Sequence, residues 1–163
     1  MSPAGPDRHD GPVAKVGPAD GNPQRIAELA AEALLSRDDA SRMLGMELLE
    51  VAPGRATLRM TVRSDMLNGH KSCHGGLIFS LADSAFAVSC NSHNDSAVAA
   101  AASIDFLAPA FAGDTLTAQA NEIWRSGRSG LYEITVVNQR GERIALCRGR
   151  SNRISGTVVP NTD

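Results

Sequence analysis

Two stretches near residue 50 carry the pattern of apolar and polar residues that is typical of strands. Every second residue of 55–62 is apolar, beginning at Ala56, and the residues between are arginines and threonines. This is the period of a strand that buries one face. Residues 46–51 form a second apolar stretch, and a Pro-Gly pair at 53–54 separates the two. The pattern predicts two antiparallel strands joined by a tight turn.

Two other stretches carry helical patterns. Residues 26–34 repeat apolar side chains at helical spacing, with Asn22 placed as an N-cap and Pro23 at the first helical position. They predict a helix of about three turns, and residues 40–44 add a short second turn. Residues 76–92 are apolar or small almost all round. That composition indicates a helix buried on every side rather than an amphipathic surface helix.

Four further strand-like stretches follow the buried helix, separated by turns that contain glycine. They span residues 97–106, 115–124, 131–138 and 144–154. A single long sheet must bury one face, and the helix at 76–92 is the segment apolar enough to cover it. The pattern therefore predicts an α+β fold, in which an antiparallel sheet of about six strands wraps around one long central helix.

The composition of the first residues differs from that of the rest. Residues 1–22 are crowded with Pro, Gly and Asp and have almost no large apolar side chains, which predicts a disordered N-terminal tail. A chain of 163 residues has room for one domain with its own core. We therefore expect one domain at residues 23–157 and a short C-terminal tail at 158–163.

Charge and cysteine content argue against several classes of protein. The net charge is −2 and the two signs are interspersed, so no basic face for nucleic acid is expected. Neither a membrane-spanning apolar run nor a signal peptide is apparent, which predicts a cytoplasmic protein. The three cysteines fit reduced thiols. His70, Cys73 and His74 are poorly spaced for tetrahedral coordination, so neither a metal nor another cofactor is predicted.

A pair of glycines lies at the start of the predicted buried helix. Gly75 and Gly76 let another group approach the backbone closely, and the first N–H groups of a helix lack intrahelical partners. Such donors, with the helix dipole behind them, suit the oxyanion that develops in acyl transfer. The alternative is that the glycines only relieve crowding where the helix meets the sheet.

Asp83 is the single carboxylate on this otherwise apolar helix. Burying a carboxylate costs free energy unless it is paired or functional. Burial should also raise its pKa toward the range that is useful to a general base. The alternative is a structural carboxylate bonded to a neighbouring helix end or loop.

The spacing of these groups constrains the assembly. Gly75 and Asp83 are eight residues apart, which is about 12 Å along a helix axis. They cannot both contact one thioester within one chain. Two antiparallel copies of the helix, related by a twofold axis, would bring Asp83 of one chain to the Gly75 N–H of the other. The spacing therefore predicts a homodimer.

The stretch from residue 68 to residue 91, NGHKSCHGGLIFSLADSAFAVSCN, resembles the phenylacetic-acid-degradation thioesterases of the hotdog superfamily. SIDFL at 103–107 and FAGDTL at 111–116 add to the resemblance, which covers residues 25–157. It implies a hotdog fold, a dimer or a dimer-of-dimers tetramer, and hydrolysis of phenylacetyl-CoA or hydroxyphenylacetyl-CoA to free acid and coenzyme A.

The resemblance also implies roles for particular residues. Asp83 matches the acidic catalytic residue of the family and Gly75 matches its oxyanion donor. Asn68 and His74 match polar residues that line the pocket, with Asn68 also counted in the catalytic set. Gly76 completes the expected substrate-binding residues.

The sequence departs from the family at Ala108, where many relatives have a basic residue. Coenzyme A phosphates would then have to be bound by other cations, for which the candidates are Arg125, Arg128, Arg148, Arg150 and Arg153. Two other functions stay open. A hotdog hydratase would need a histidine paired with an acid, and a non-catalytic acyl-CoA-binding protein would need neither base nor oxyanion donor.

Overall fold

The computed structural model describes residues 21–160 and contains one sheet, one long helix and a helical N-terminal arm. The helices are α1 (Pro23–Leu35), α2 (Asp39–Met43) and α3 (Gly75–Asn91), with a single 3-10 turn at Ser64–Met66. The strands are β1 (Glu47–Ala52), β2 (Arg55–Thr61), β3 (Asp95–Phe106), β4 (Thr115–Ser126), β5 (Ser129–Val137) and β6 (Arg143–Thr157).

All six strands form one antiparallel sheet in the order β1-β2-β4-β5-β6-β3. The predicted α+β architecture, about six strands around one central helix, is confirmed. The connection between β2 and α3 contains the 3-10 turn. Met66 in that turn is buried, and its packing against the core explains why the backbone coils there.

Helix α3 lies along the inner face of the sheet and contacts all six strands. The expectation that α3 is buried on every side is wrong for one stripe: the helix buries the side that faces the sheet, while Gly76, Ser80, Asp83 and Ala87, at helical spacing, are half-buried or exposed. Leu81, Ala82 and Ala85 are completely buried. The Phe86 ring packs on Tyr132 of β5 with ring centroids 5.2 Å apart.

Both ends of α3 are fixed against β3. At the C-terminal end, the Asn91 side chain accepts a hydrogen bond from Ala97 N–H at 2.9 Å and donates one to Ala97 C=O at 3.0 Å. At the N-terminal end, the ring of Phe106 lies against Gly75. Strand β3 therefore runs antiparallel to α3 and sets the surroundings of the first helical turn.

Strand β3 is also an edge of the sheet, because it pairs only with β6. Residues 98–102, one valine and four alanines, are exposed. Within the described part of the chain, nothing covers this long apolar edge. Sheet proteins normally cover or charge such an edge, because it is a template for pairing with another chain.

The N-terminal arm is joined to α3 by hydroxyl groups. Asn22 caps α1 as predicted, since its Oδ1 accepts from Gln24 N–H at 3.0 Å. Asp38 caps α2, and Ser41 Oγ donates to Asp38 Oδ2 at 2.6 Å. Ser41 Oγ also lies 2.7 Å from Ser84 Oγ on α3, which fixes α2 to the middle of the long helix.

The predicted tails lie mostly outside the described residues. Of the segment 1–22, only Gly21 and Asn22 are described, and residues 161–163 of the C-terminal segment are not. Val159 N–H donates to Asn94 Oδ1 at 2.9 Å, so the ordered contacts continue past β6. Between residues 21 and 160, no helix has the length and apolar character needed to cross a membrane.

We predict that Gly149 of β6 is required for the packing of α3 on the sheet. A Cβ at this position would lie 2.8–2.9 Å from three ring atoms of Phe86, which is fully enclosed in the core. Gly149→Ala should lower the free energy of unfolding by about 1–3 kcal/mol. Gly69→Ala is the control, because a Cβ there meets nothing within 4 Å. Equal denaturation midpoints for both variants at one protein concentration would contradict this account of the core.

Candidate active site

The N-terminus of α3 is capped by its own histidine. His74 Nδ1 accepts from Gly76 N–H at 3.0 Å, and the His74 carbonyl accepts from Leu77 N–H at 2.9 Å and from Ile78 N–H at 3.3 Å. The Ile78 bond is the first regular helical bond. The amides of Gly76 and Leu77, together with His74 N–H, which donates to Met66 C=O at 2.9 Å, are three of the four that a helix leaves without intrahelical partners at the start of its first turn. Among the described residues, only Gly75 N–H in that turn has no acceptor. The donor role expected for both glycines therefore falls to Gly75.

Gly75 also lies in a tight place, where an added Cβ would press on the ring of Phe106. A Cβ on Gly75 would be 3.0 Å from Cζ and 3.2 Å from Cε1 of Phe106. The two interpretations of the glycine pair therefore apply together: Gly75 admits a close neighbour, and its N–H remains a free donor. The donor interpretation does not extend to Gly76, because its amide already donates to His74 Nδ1.

The free amide lies at the wall of a cavity of about 400 Å³. The wall combines apolar side chains with an amide and a hydroxyl. It is formed by Asn68, Ser72, Cys73, Gly75, Ile78, Phe106, Leu107, Ala108 and Pro109. The structure thus brings together Gly75 and Asn68, two of the three residues expected to be catalytic.

Asn68 organises the loop that precedes α3. Its Oδ1 accepts from His70 N–H at 2.9 Å and from Ser72 N–H at 3.3 Å, and its Nδ2 donates to Ser72 Oγ at 3.1 Å. Lys71 takes a positive φ of 62° to complete this turn. The Asn68 amide is therefore fixed in orientation. Within the described residues its Nδ2 makes one hydrogen bond, which leaves the second N–H available at the cavity.

Asp83 lies in the middle of α3, half-buried, and has no hydrogen bond or ion pair within residues 21–160. Burial raises the pKa of its carboxyl group, and the negative charge of Asp38 raises it further. The expectation that α3 carries an unsatisfied carboxylate with a raised pKa agrees with this geometry.

One protomer does not bring Asp83 to the cavity. Asp83 is absent from the cavity wall, and its eight-residue separation from Gly75 amounts to about 12 Å along α3. His74 is exposed, and its Nδ1 is used as the helix cap. The predicted site residues therefore divide into Asn68 and Gly75 at the cavity, His74 and Gly76 in the cap, and Asp83 two helical turns away.

Metal-binding and thiol chemistry find little support in the described residues. No three His, Cys, Asp or Glu side chains there are grouped closely enough to hold a metal ion. All three cysteines are buried, and burial raises the pKa of the Cys73 thiol. It also raises the pKa of Cys147 to about 11 and of Cys90 to about 12, so these thiols stay protonated and are weak nucleophiles.

The arginines considered for coenzyme A phosphates are mostly paired. Arg125 and Arg153 both contact the Asp95 carboxylate, and Arg148 lies 4.0 Å from Glu133. The two without a carboxylate partner among the described residues are Arg128 and Arg150. The position of the phosphates stays a prediction.

Sequence reasoning missed two residues that shape the site. Phe106 covers Gly75, and Asp38 lies close enough to influence Asp83. The available signal for Phe106 was its place at the end of a strand beside the glycine-rich turn. For Asp38 it was the capping residue ahead of a short helix.

The comparisons with known proteins agree with this geometry. A family model described as the thioesterase superfamily matches residues 70–145. The acyl-coenzyme A thioesterase PaaI of Escherichia coli K12 is 50% identical over 129 residues, which cover 79% of this chain and 92% of PaaI. This chain belongs to the thioesterase superfamily. A putative esterase of Archaeoglobus fulgidus is 33% identical over 138 residues, covering 85% of this chain and 90% of the esterase.

Solved structures place this thioesterase in the same fold. The E. coli PaaI protein of the phenylacetic acid degradation operon superposes with a TM-score of 0.81 at 48% identity, covering 82% of this chain and 97% of PaaI. A variant of PaaI from Thermus thermophilus gives 0.69 at 38% identity, covering 72% of this chain and 100% of that variant. The predicted hotdog fold and the prediction of a thioester hydrolase are both confirmed.

We predict that the thioesterase needs His74 as a cap and not as a substrate contact. His74→Ala removes the acceptor for Gly76 N–H and should lower the free energy of unfolding by about 0.5–2 kcal/mol. His74→Asn supplies another capping oxygen and should retain most of that stability, with KM unchanged. Denaturation and steady-state kinetics on both variants test this. A large rise in KM for His74→Asn would show that the ring contacts substrate.

Proposed function

We propose that this thioesterase hydrolyses phenylacetyl-CoA or hydroxyphenylacetyl-CoA to the free acid and coenzyme A, in phenylacetate catabolism. The observation that carries the proposal is the free Gly75 N–H at the wall of a cavity of about 400 Å³, which apolar side chains line together with an amide and a hydroxyl. The substrate class follows the name of the E. coli relative, an acyl-coenzyme A thioesterase, and its phenylacetic acid degradation operon. A cytoplasmic location stays a prediction.

Gly75 and Asn68 would bind the thioester carbonyl. The Gly75 N–H carries the positive end of the α3 dipole, and the Asn68 amide, held by Ser72, would offer its remaining N–H from the same cavity wall. Donors fixed before substrate binds stabilise the oxyanion without reorganising in the transition state. Together they would polarise the carbonyl and stabilise the tetrahedral intermediate.

Asp83 would supply the base or the nucleophile. As a general base it removes a proton from water, whose oxygen attacks the carbonyl carbon; as a nucleophile its carboxylate attacks directly and water then cleaves the anhydride. In either route the C–S bond breaks and coenzyme A leaves as a thiolate. Burial and the negative charge of Asp38 raise the pKa of Asp83, which makes its ionised form a stronger base.

A homodimer would assemble the complete site. The open, apolar edge of β3 suits antiparallel pairing with β3 of a second copy, because such pairing satisfies the unpaired backbone groups and covers residues 98–102. The same twofold axis would place α3 of the two copies antiparallel. Asp83 of one chain would then face Gly75 of the other, giving two equivalent sites per dimer or four in a dimer of dimers.

The hydratase alternative draws on one pair of side chains. His93 Nε2 lies 3.0 Å from Glu122 Oε2, and Tyr132 donates to the same carboxylate oxygen at 2.7 Å. This is the only histidine–carboxylate pair among the described residues. It lies beyond the C-terminal end of α3 and does not contribute to the cavity wall at Gly75. The pair is therefore better explained as a partly buried polar network that supports β4 and β5.

Substitution of Asp83 tests the proposed activity. Asp83→Asn keeps the size of the side chain and removes its charge, so kcat should fall about a hundredfold or more while KM changes little. A structural role would instead lower stability, with activity falling only in step with the folded fraction.

Wild-type kcat/KM should be highest for phenylacetyl-CoA and hydroxyphenylacetyl-CoA, compared with benzoyl-CoA and short aliphatic esters. A preference for short aliphatic esters would overturn the proposed substrate.

A further inference from the structure

Helix α2 holds a second carboxylate close to Asp83. Asp38 accepts from Ser41 N–H at 3.0 Å and from Ser41 Oγ at 2.6 Å, so both of its oxygens are fixed. Ser41 is buried, and its hydroxyl lies 2.7 Å from Ser84 Oγ, the residue next to Asp83 on α3. Two hydrogen bonds thus connect the Asp38 carboxylate to the segment of α3 that carries Asp83.

Neither carboxylate is neutralised by a cation. Across residues 21–160, no arginine, lysine or histidine forms an ion pair with Asp38 or with Asp83. The neighbouring Asp39 is paired with Arg42 and is 89% exposed. Asp38 therefore differs from Asp39 in being held against the helix with its charge uncompensated.

We propose that Asp38 is a positioning residue for hydrolysis, because its carboxylate, held through Ser41 against Ser84, imposes a fixed negative field on Asp83 and makes it a stronger base. This inference rests on the proposed role of Asp83. The field acts through space, so Asp38 need not touch substrate. A like charge disfavours ionisation of a neighbouring acid, and the ionised form that remains binds a proton more tightly.

The other titratable groups near Asp83 do not supply this field. Burial is the largest cause of the raised pKa of Asp83, and Asp38 is the second. The charge of Asp83 also helps to raise the pKa of Cys90, on the same helix, and of Cys147, on β6. Their pKa values are about 12 and about 11, so both thiols stay uncharged in any assay near neutral pH. Among the described residues, Asp38 is therefore the charged group that raises the pKa of Asp83.

The test compares pH profiles of kcat/KM for wild type, Asp38→Asn and Asp39→Asn with phenylacetyl-CoA. Asparagine is also a good N-cap, so Asp38→Asn can keep the bond from Ser41 N–H while losing the charge. Its acid limb should move to lower pH, because the pKa of Asp83 falls. Its plateau should fall modestly, since a weaker base transfers the proton less effectively. The profiles of wild type and Asp38→Asn should therefore cross.

The control and the outcomes separate this inference from the proposed function. Asp39→Asn changes charge by the same amount on the next residue and should leave the acid limb in place. A lower plateau without a shifted limb would overturn the proposal and leave Asp38 as a structural cap. Ser84→Ala, which loosens the carboxylate without removing its charge, should shift the limb less than Asp38→Asn. An Asp83→Asn enzyme with full activity would instead refute the proposed function.

Discussion

Helix α3 packs against all six strands through buried apolar side chains, and the arrangement of the site depends on this packing. A helix packed along its length against a sheet cannot rotate or slide without losing contacts with the strands. Its N-terminal amide and its mid-helix carboxylate are consequently fixed about 12 Å apart. The same rigidity that makes Gly75 a precise donor prevents Asp83 of that chain from reaching it. A second copy of the helix is then the simplest source of the missing group.

The electrostatics of the site follow from which polar groups are left without partners. His74 uses its ring and carbonyl to accept from the amides of Gly76, Leu77 and Ile78, and within residues 21–160 only Gly75 N–H of the first turn remains for a ligand. Asp83 is likewise left without a hydrogen bond among the described residues, beside an uncompensated Asp38. One helix therefore carries an unsatisfied donor at its end and an unsatisfied acceptor in its middle. Each would be stabilised by the reacting thioester or by the partner chain.

Local patterns predicted much of the fold because they depend on neighbours in sequence. The strand predicted at 55–62, the cap at Asn22 and the apolar helix predicted at 76–92 are found within one residue of the positions that the sequence pattern indicated. Asp83 could be singled out because a carboxylate stands out on an apolar helix. Contacts set by tertiary packing could not be found this way. The ring of Phe106 covers Gly75 only because β3 runs antiparallel to α3 in one register, and Asp38 approaches Asp83 only because α2 folds back onto that helix.

The most direct test of the shared site is complementation in mixed dimers. Asp83→Asn lacks the carboxylate, and Gly75→Pro lacks the free N–H while keeping a residue that suits a first helical position. Gly75→Ala is the matched control, because it adds the same Cβ beside Phe106 but retains the N–H. Mixing the two inactive variants should restore about a quarter of wild-type activity, since half of the randomly formed dimers have one intact site of two. If heterodimers form and no activity returns, Asp83 and Gly75 do not meet across the interface.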